Sequence, residues 1–96
     1  MPYIPQNERH KLDGTINQLV TLIRDMTGST DLSAADGRLN YTITRLLIGV
    51  LSLAGDPKYH KFNAAVGVLE CAKLELYRRL AAPYEDKKID ENGDVI

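Results

Sequence analysis

From Phe62 to Leu80 the chain writes a helix whose apolar residues occupy most of its circumference, and no short protein can bury such a helix alone. Phe62, Val66, Leu69, Ala72, Leu76 and Leu80 recur at helical spacing and form one stripe, while Ala64, Val68 and Cys71 form a second beside it. A helix apolar nearly all round must be surrounded by other elements. The preceding helical segment has the same character. Leu39, Ile43, Leu46, Leu47, Val50, Leu51 and Ala54 make its inner face, with Ile48 and Leu53 outside it. With 96 residues there are too few helices left over to cover both. The expectation is an all-α chain assembling through these two helices into a homo-oligomer, a symmetric dimer or a dimer-based assembly being the common solution.

Punctuation residues divide the rest. Residues 1–12, with Pro2 and Pro5, read as an extended N-terminal arm with room for one helical turn after Pro5. Asp13 is the expected cap of a first, shorter amphipathic helix over 13–27, whose apolar face is Ile16, Leu19, Val20, Ile23 and Met26. Gly28 ends it, and the small polar residues of 28–37 read as a surface loop. The second helix is expected over 38–54, with Asp36 as a candidate cap, until Gly55-Asp56-Pro57 breaks it. The third is expected over 58–82, limited by Pro83. Residues 83–96 then form a tail in which Asn92-Gly93, flanked by Ile89 and Val95-Ile96, carries a hairpin signal. The tail would dock on a neighbouring copy or fray. Ile48-Gly49-Val50-Leu51 and Val66-Gly67-Val68-Leu69 repeat one pattern. Each interior glycine costs about 1 kcal/mol relative to alanine, which calls for a reason such as close backbone approach.

Several chemistries find no support. His10 and His60 have no Cys or His at ligand spacing, and Cys71 in an apolar helix reads as packing, so no metal and no cofactor are expected. Asp90 to Asp94 is a poor calcium loop, its glycine two places early and no closing glutamate following. There is no phosphate-binding glycine loop and no nucleophile elbow, and the five-residue spacing of Glu70 and Glu75 turns the two carboxylates apart. The expectation is a protein that is not an enzyme. The longest apolar run, Leu46 to Leu51, is too short to span a bilayer, and the N-terminus has no apolar signal core. One cysteine excludes an internal disulfide, which fits a cytoplasmic setting.

Charge is unevenly placed. Residues 1–37 carry a net −2, residues 38–82 a net +4 and residues 83–96 a net −3. The basic middle contains cations and aromatics at helical spacing: Arg38, Tyr41 and Arg45 on the second helix, Lys73, Tyr77, Arg78 and Arg79 near the end of the third. Arginine can grip phosphate with two parallel hydrogen bonds, and tyrosine can stack on a base or bond a phosphate. Arg45, Lys73, Tyr77, Arg78 and Arg79, with Tyr41 and Tyr84 as further aromatics, are the candidate ligand-binding residues. The competing explanation is structural: Glu75 pairs with Arg78 or Arg79, and the arginines complement the helix C-terminus. Extended DNA or RNA suits the chain less well than a small anion, given its pI near 6.1 and no continuous basic stripe.

The chain resembles a small uncharacterised family, a domain of unknown function met in phages and bacteria. The resemblance lies in Met1 to Ile4, in Leu39-Asn40-Tyr41 with Ile43 to Leu46, and in GVLECAKLELYRR from Gly67 to Arg79. Ala82 to Asp86 and Glu91 to Val95 complete it, and it covers most of the chain except the loop at 28–37. It implies a phage-type accessory protein and supplies no catalytic residues. In size, helical build and implied assembly the chain is also similar to small oligomeric phage proteins that sequester the cyclic nucleotides of bacterial immune signalling. Two functions are therefore expected to compete. One is non-catalytic sequestration of a small anionic signalling nucleotide between subunits. The other is a protein-interaction module that inhibits or scaffolds a host or phage protein.

Overall fold

A computed structural model describes every residue except Ser29. The described residues are helical with no strand: α1 (Gln6–Thr27), a 3-10 turn (Leu32–Ala35), α2 (Asp36–Val50), α3 (Tyr59–Leu76) and α4 (Ala82–Asn92). A π-turn at Tyr77–Ala81 joins α3 to α4, so the second half of the chain is one long helical rod.

α1 starts at Gln6, seven residues before the expected cap at Asp13, and with 22 residues it is the longest element rather than the shorter one. Pro5 sets this start. Its own backbone geometry (φ −54°, ψ 146°) is extended, and its carbonyl accepts from the Glu8 and Arg9 amides at 3.0 and 3.1 Å. Arg9 Nε also donates to the Ile4 carbonyl at 2.7 Å, pinning the arm to the first turn. The helix closes at Gly28, whose left-handed φ of 64° lets its amide reach the Arg24 carbonyl at 3.1 Å.

The expected loop at 28–37 is shorter than expected. Ser29 lies outside the described residues; beyond it Asp31 accepts from the Ser33 amide (3.1 Å) and hydroxyl (2.8 Å) and caps the 3-10 turn. α2 then begins at Asp36, which is its first residue rather than its cap. It stops at Val50, four residues before Ala54. Ser52 adopts φ 53°, and the Leu53 amide bonds the Ile48 carbonyl at 3.0 Å, a Schellman stop built without glycine.

Pro83 does not end the third helix. A proline inside a helix lacks an amide and clashes with the carbonyl four residues back. The π-turn widens the backbone just before it, with the Ala82 amide bonding the Tyr77 carbonyl five residues back, and the helix continues to Asn92. Asn92-Gly93 is accordingly a helix stop rather than a hairpin: Gly93 takes φ 88° and its amide bonds the Ile89 carbonyl at 2.8 Å. Only residues 93–96 remain as tail.

These elements scarcely form a core. Ile23, Ala35 and Ala65 are the buried apolar residues among those described, and α2 buries none. The radius of gyration is 17.0 Å, against about 12.5 Å for a compact chain of this length. The accessible surface is 8208 Å², where a folded monomer of this mass exposes about 5,500 Å². Cys71, expected in packing, is exposed. The expected close backbone approach at Gly49 and Gly67 is absent within the chain, since a Cβ built at either meets nothing.

Two substitutions probe these stops. Ser52→Gly removes an αL penalty of about 1 kcal/mol and should raise stability by that order in urea unfolding. Pro83→Ala should let the π-turn relax to α-helix and stabilise the chain, by no more than the ~3 kcal/mol an interior proline costs. A loss of helical circular dichroism in Pro83→Ala would show that the π-turn has another cause.

Candidate functional site

The arm before α1 crosses to the end of α3 and puts Tyr3 among three charged side chains. Ala72, Glu75, Leu76 and Arg79 share one helix face at spacings of three and four, and Arg78 lies beside it. The Tyr3 hydroxyl donates to Glu75 Oε1. Arg79 Nη1 donates to the same hydroxyl oxygen at 3.0 Å and Arg78 Nη2 approaches it at 3.4 Å. Arg78 Nη2 also bonds Glu75 Oε1 at 2.9 Å. Two guanidinium groups thus meet one phenol oxygen with a single carboxylate between them, leaving one positive charge in excess. Pro2, Tyr3, Ala72, Leu76 and Leu80 wall a largely apolar cleft of about 460 Å³ here, with Glu75 and Arg79 as its charged residues.

The hydrogen bond from Tyr3 holds the Glu75 carboxyl below the usual range; partial burial opposes this, and the charges of Arg78 and then Arg79 add to the lowering. A charged Glu75 is therefore favoured by the closed arrangement.

The other candidate residues are placed elsewhere. Arg45 Nη1 bonds the Tyr41 hydroxyl at 2.7 Å, with its guanidinium 5.7 Å from that ring, one turn apart on α2. Lys73 pairs with Glu70 at 3.0 Å. The Tyr77 hydroxyl donates to Glu85 Oε2 at 3.2 Å, bridging the π-turn, and that carboxylate raises the phenol above its ordinary range. Tyr84 lies under Lys88, 5.5 Å from its ring centre. Of the seven candidates, Arg78 and Arg79 are brought together, Arg45 and Tyr41 form a separate pair, and Lys73, Tyr77 and Tyr84 each face a local partner. The expected pairing of Glu75 with an arginine is present, through Arg78.

Tyr3 is the residue that sequence reasoning missed. Its signal was slight: one aromatic between two prolines in a segment whose destination, more than 70 residues away, no local pattern encodes. Among the described residues no group of three or more His, Cys, Asp or Glu could hold a metal ion. No described helix is long and apolar enough to cross a membrane.

The contact of Tyr3 with Glu75 and the two arginines is a latch between the arm and the end of α3, and it should respond to acid. Glu75 is held below its ordinary value near 4.3, so its contribution is complete above about pH 4.3 and is lost as pH falls through the depressed folded value. The Tyr3 ring signals followed by NMR should shift with a midpoint below 4.3, and the step should vanish in Glu75→Gln. A midpoint at or above 4.3 would show that the latch is open in solution.

A family model, Domain of unknown function (DUF6899), matches residues 1–95, and the chain belongs to that family. Among curated proteins and solved structures, none matches it.

Proposed function

We propose that this family member is a non-catalytic, self-assembling binding protein whose Arg78–Arg79–Tyr3 cluster receives a small anion, a signalling nucleotide being the ligand class that suits it. The observation that supports this is the convergence of two arginines on one phenol oxygen beside a single carboxylate, at the edge of an apolar cleft. A phosphate can accept from Arg78 in place of Glu75 and from Arg79 in place of the Tyr3 hydroxyl, a charge-assisted arrangement stronger than neutral hydrogen bonds. The apolar wall of the cleft and the Tyr3 ring offer a surface for a base. Arg45 with Tyr41, and Lys73, Tyr77 and Tyr84, would contribute only where a second copy brings them to the cluster. In its fullest form the proposal is a phage-type accessory protein acting in the host cytoplasm and holding the nucleotide unchanged. That part leans on likeness in size and helical build to small phage sponges, a fold-level analogy.

Calorimetry with cyclic and linear nucleotides, with inorganic phosphate as control, tests it. Heat is expected for at least one nucleotide, with affinity falling at least about tenfold in Arg79→Gln, the scale of one lost charge-assisted hydrogen bond. The ligand should be recovered chemically intact. No heat across the panel overturns the reading.

A protein-interaction module remains the second reading, favoured by the apolar surface the single chain leaves open. A pulldown that recovers one protein and is indifferent to Arg45→Ala and Arg79→Ala would support it over anion binding.

A further inference from the structure

We propose that the open groove between α1 and α2 of one copy is filled by the N-terminal half of α3 from a second copy, and that the exchange is reciprocal. The proposal rests on the self-assembly in the proposed function and not on the ligand.

The groove is bounded by Ile16 and Val20 on α1 and by Leu39, Ile43 and Leu46 on α2, with the 3-10 turn at its floor. It encloses about 360 Å³, and of its lining only Arg24 and Thr42 are polar. Those five residues are 44–55% exposed in the single chain. An apolar trough left this open loses the burial energy it was composed to gain.

The matching surface is on the same chain. Phe62, Val66 and Leu69 lie on one face of α3 and are 43–66% exposed. From Phe62 to Leu69 is seven steps of the helix, about 10.5 Å. Ile16 to Ile23 on α1 and Leu39 to Leu46 on α2 each cover the same seven steps. Groove and filler thus agree in length as well as in chemistry.

The chain's own α3 is not the occupant. It makes no extended run of close backbone approaches to α1 or α2. Its far end is held by Tyr3, and the Schellman stop at Ser52 followed by Pro57 separates its start from α2. The amount of surface agrees with a partner copy. Each chain exposes about 2,700 Å² more than a compact monomer, and an obligate dimer buries about 1,000–2,500 Å² per subunit. A groove and a filler on every copy close around a two-fold axis with nothing left over, the geometry of a swapped dimer.

Complementation separates this from other assemblies. Ile43→Asp ruins the groove and leaves α3 intact; Val66→Asp does the reverse. Each alone is expected to be monomeric in sedimentation velocity. Their equimolar mixture should associate at least tenfold more tightly than either, because one of the two contacts is then whole. If Ile43→Asp associates like the wild type, or the mixture gives no rescue between folded variants, the exchange is overturned. Should either variant unfold, the wild type decides. Phe62 is the only phenylalanine, so a mixed-label sample should show intermolecular NOEs from its ring to Ile16 and Ile43 methyls. A dimer lacking those NOEs overturns the exchange but leaves self-assembly standing. A monomer at every concentration overturns both, while nucleotide binding is read separately by calorimetry.

Discussion

A chain whose two apolar helical segments do not bury each other is the constraint from which the other features of this protein follow. Helix formation leaves the backbone satisfied, yet the hydrophobic term that normally offsets conformational entropy is mostly unrealised within one copy. Among the described residues Ile23, Ala35 and Ala65 are the buried apolar ones, while Val50, Val66 and Leu80 stand mainly in solvent. What holds the single chain in shape is a set of local devices, namely proline and glycine at helix ends, the Asp31 cap and the Schellman stop at Ser52, together with one long-range contact, the Tyr3 latch. Such contacts are each worth about 1 kcal/mol, a small sum that is the physical ground for the proposed self-assembly.

The latch matters because it joins the two ends of the chain's architecture. The arm is fixed to α1 by Arg9 and to α3 by Tyr3, so the placement of α3 relative to α1 depends on one aromatic residue and three charges. The same contact concentrates positive charge and neutralises half of it. Structural and ligand-binding readings of Arg78 and Arg79 are therefore not exclusive: under the proposed function an external anion would take the place of the internal carboxylate.

The helical class, the separation into three rods and the start of α3 near Tyr59 were legible from apolar periodicity and from glycine and proline positions. The errors share a cause. Residue preferences place boundaries at Asp13, before Gly55-Asp56-Pro57 and at Pro83, whereas each true boundary is a hydrogen-bonding solution spread over several residues. The Pro5 carbonyl starts α1, Ser52 in a left-handed conformation ends α2, and a π-turn carries the chain past Pro83. At the site, Arg78, Arg79 and their carboxylate could be found because they lie within one helical turn. Tyr3 could not, since its contact spans nearly the whole chain.

Sequence by itself determined the chemistry of each helix: which positions are apolar, where the cations fall, and that the apolar surface exceeds what one small chain can hide. Those properties are carried by residue identity and by the fixed period of the helix. Tertiary structure alone decided which apolar faces remain open, which cations are neutralised and which two stand together with Tyr3. These depend on where the rods point in space, and that is set by a few turns and one long-range latch that no local periodicity encodes.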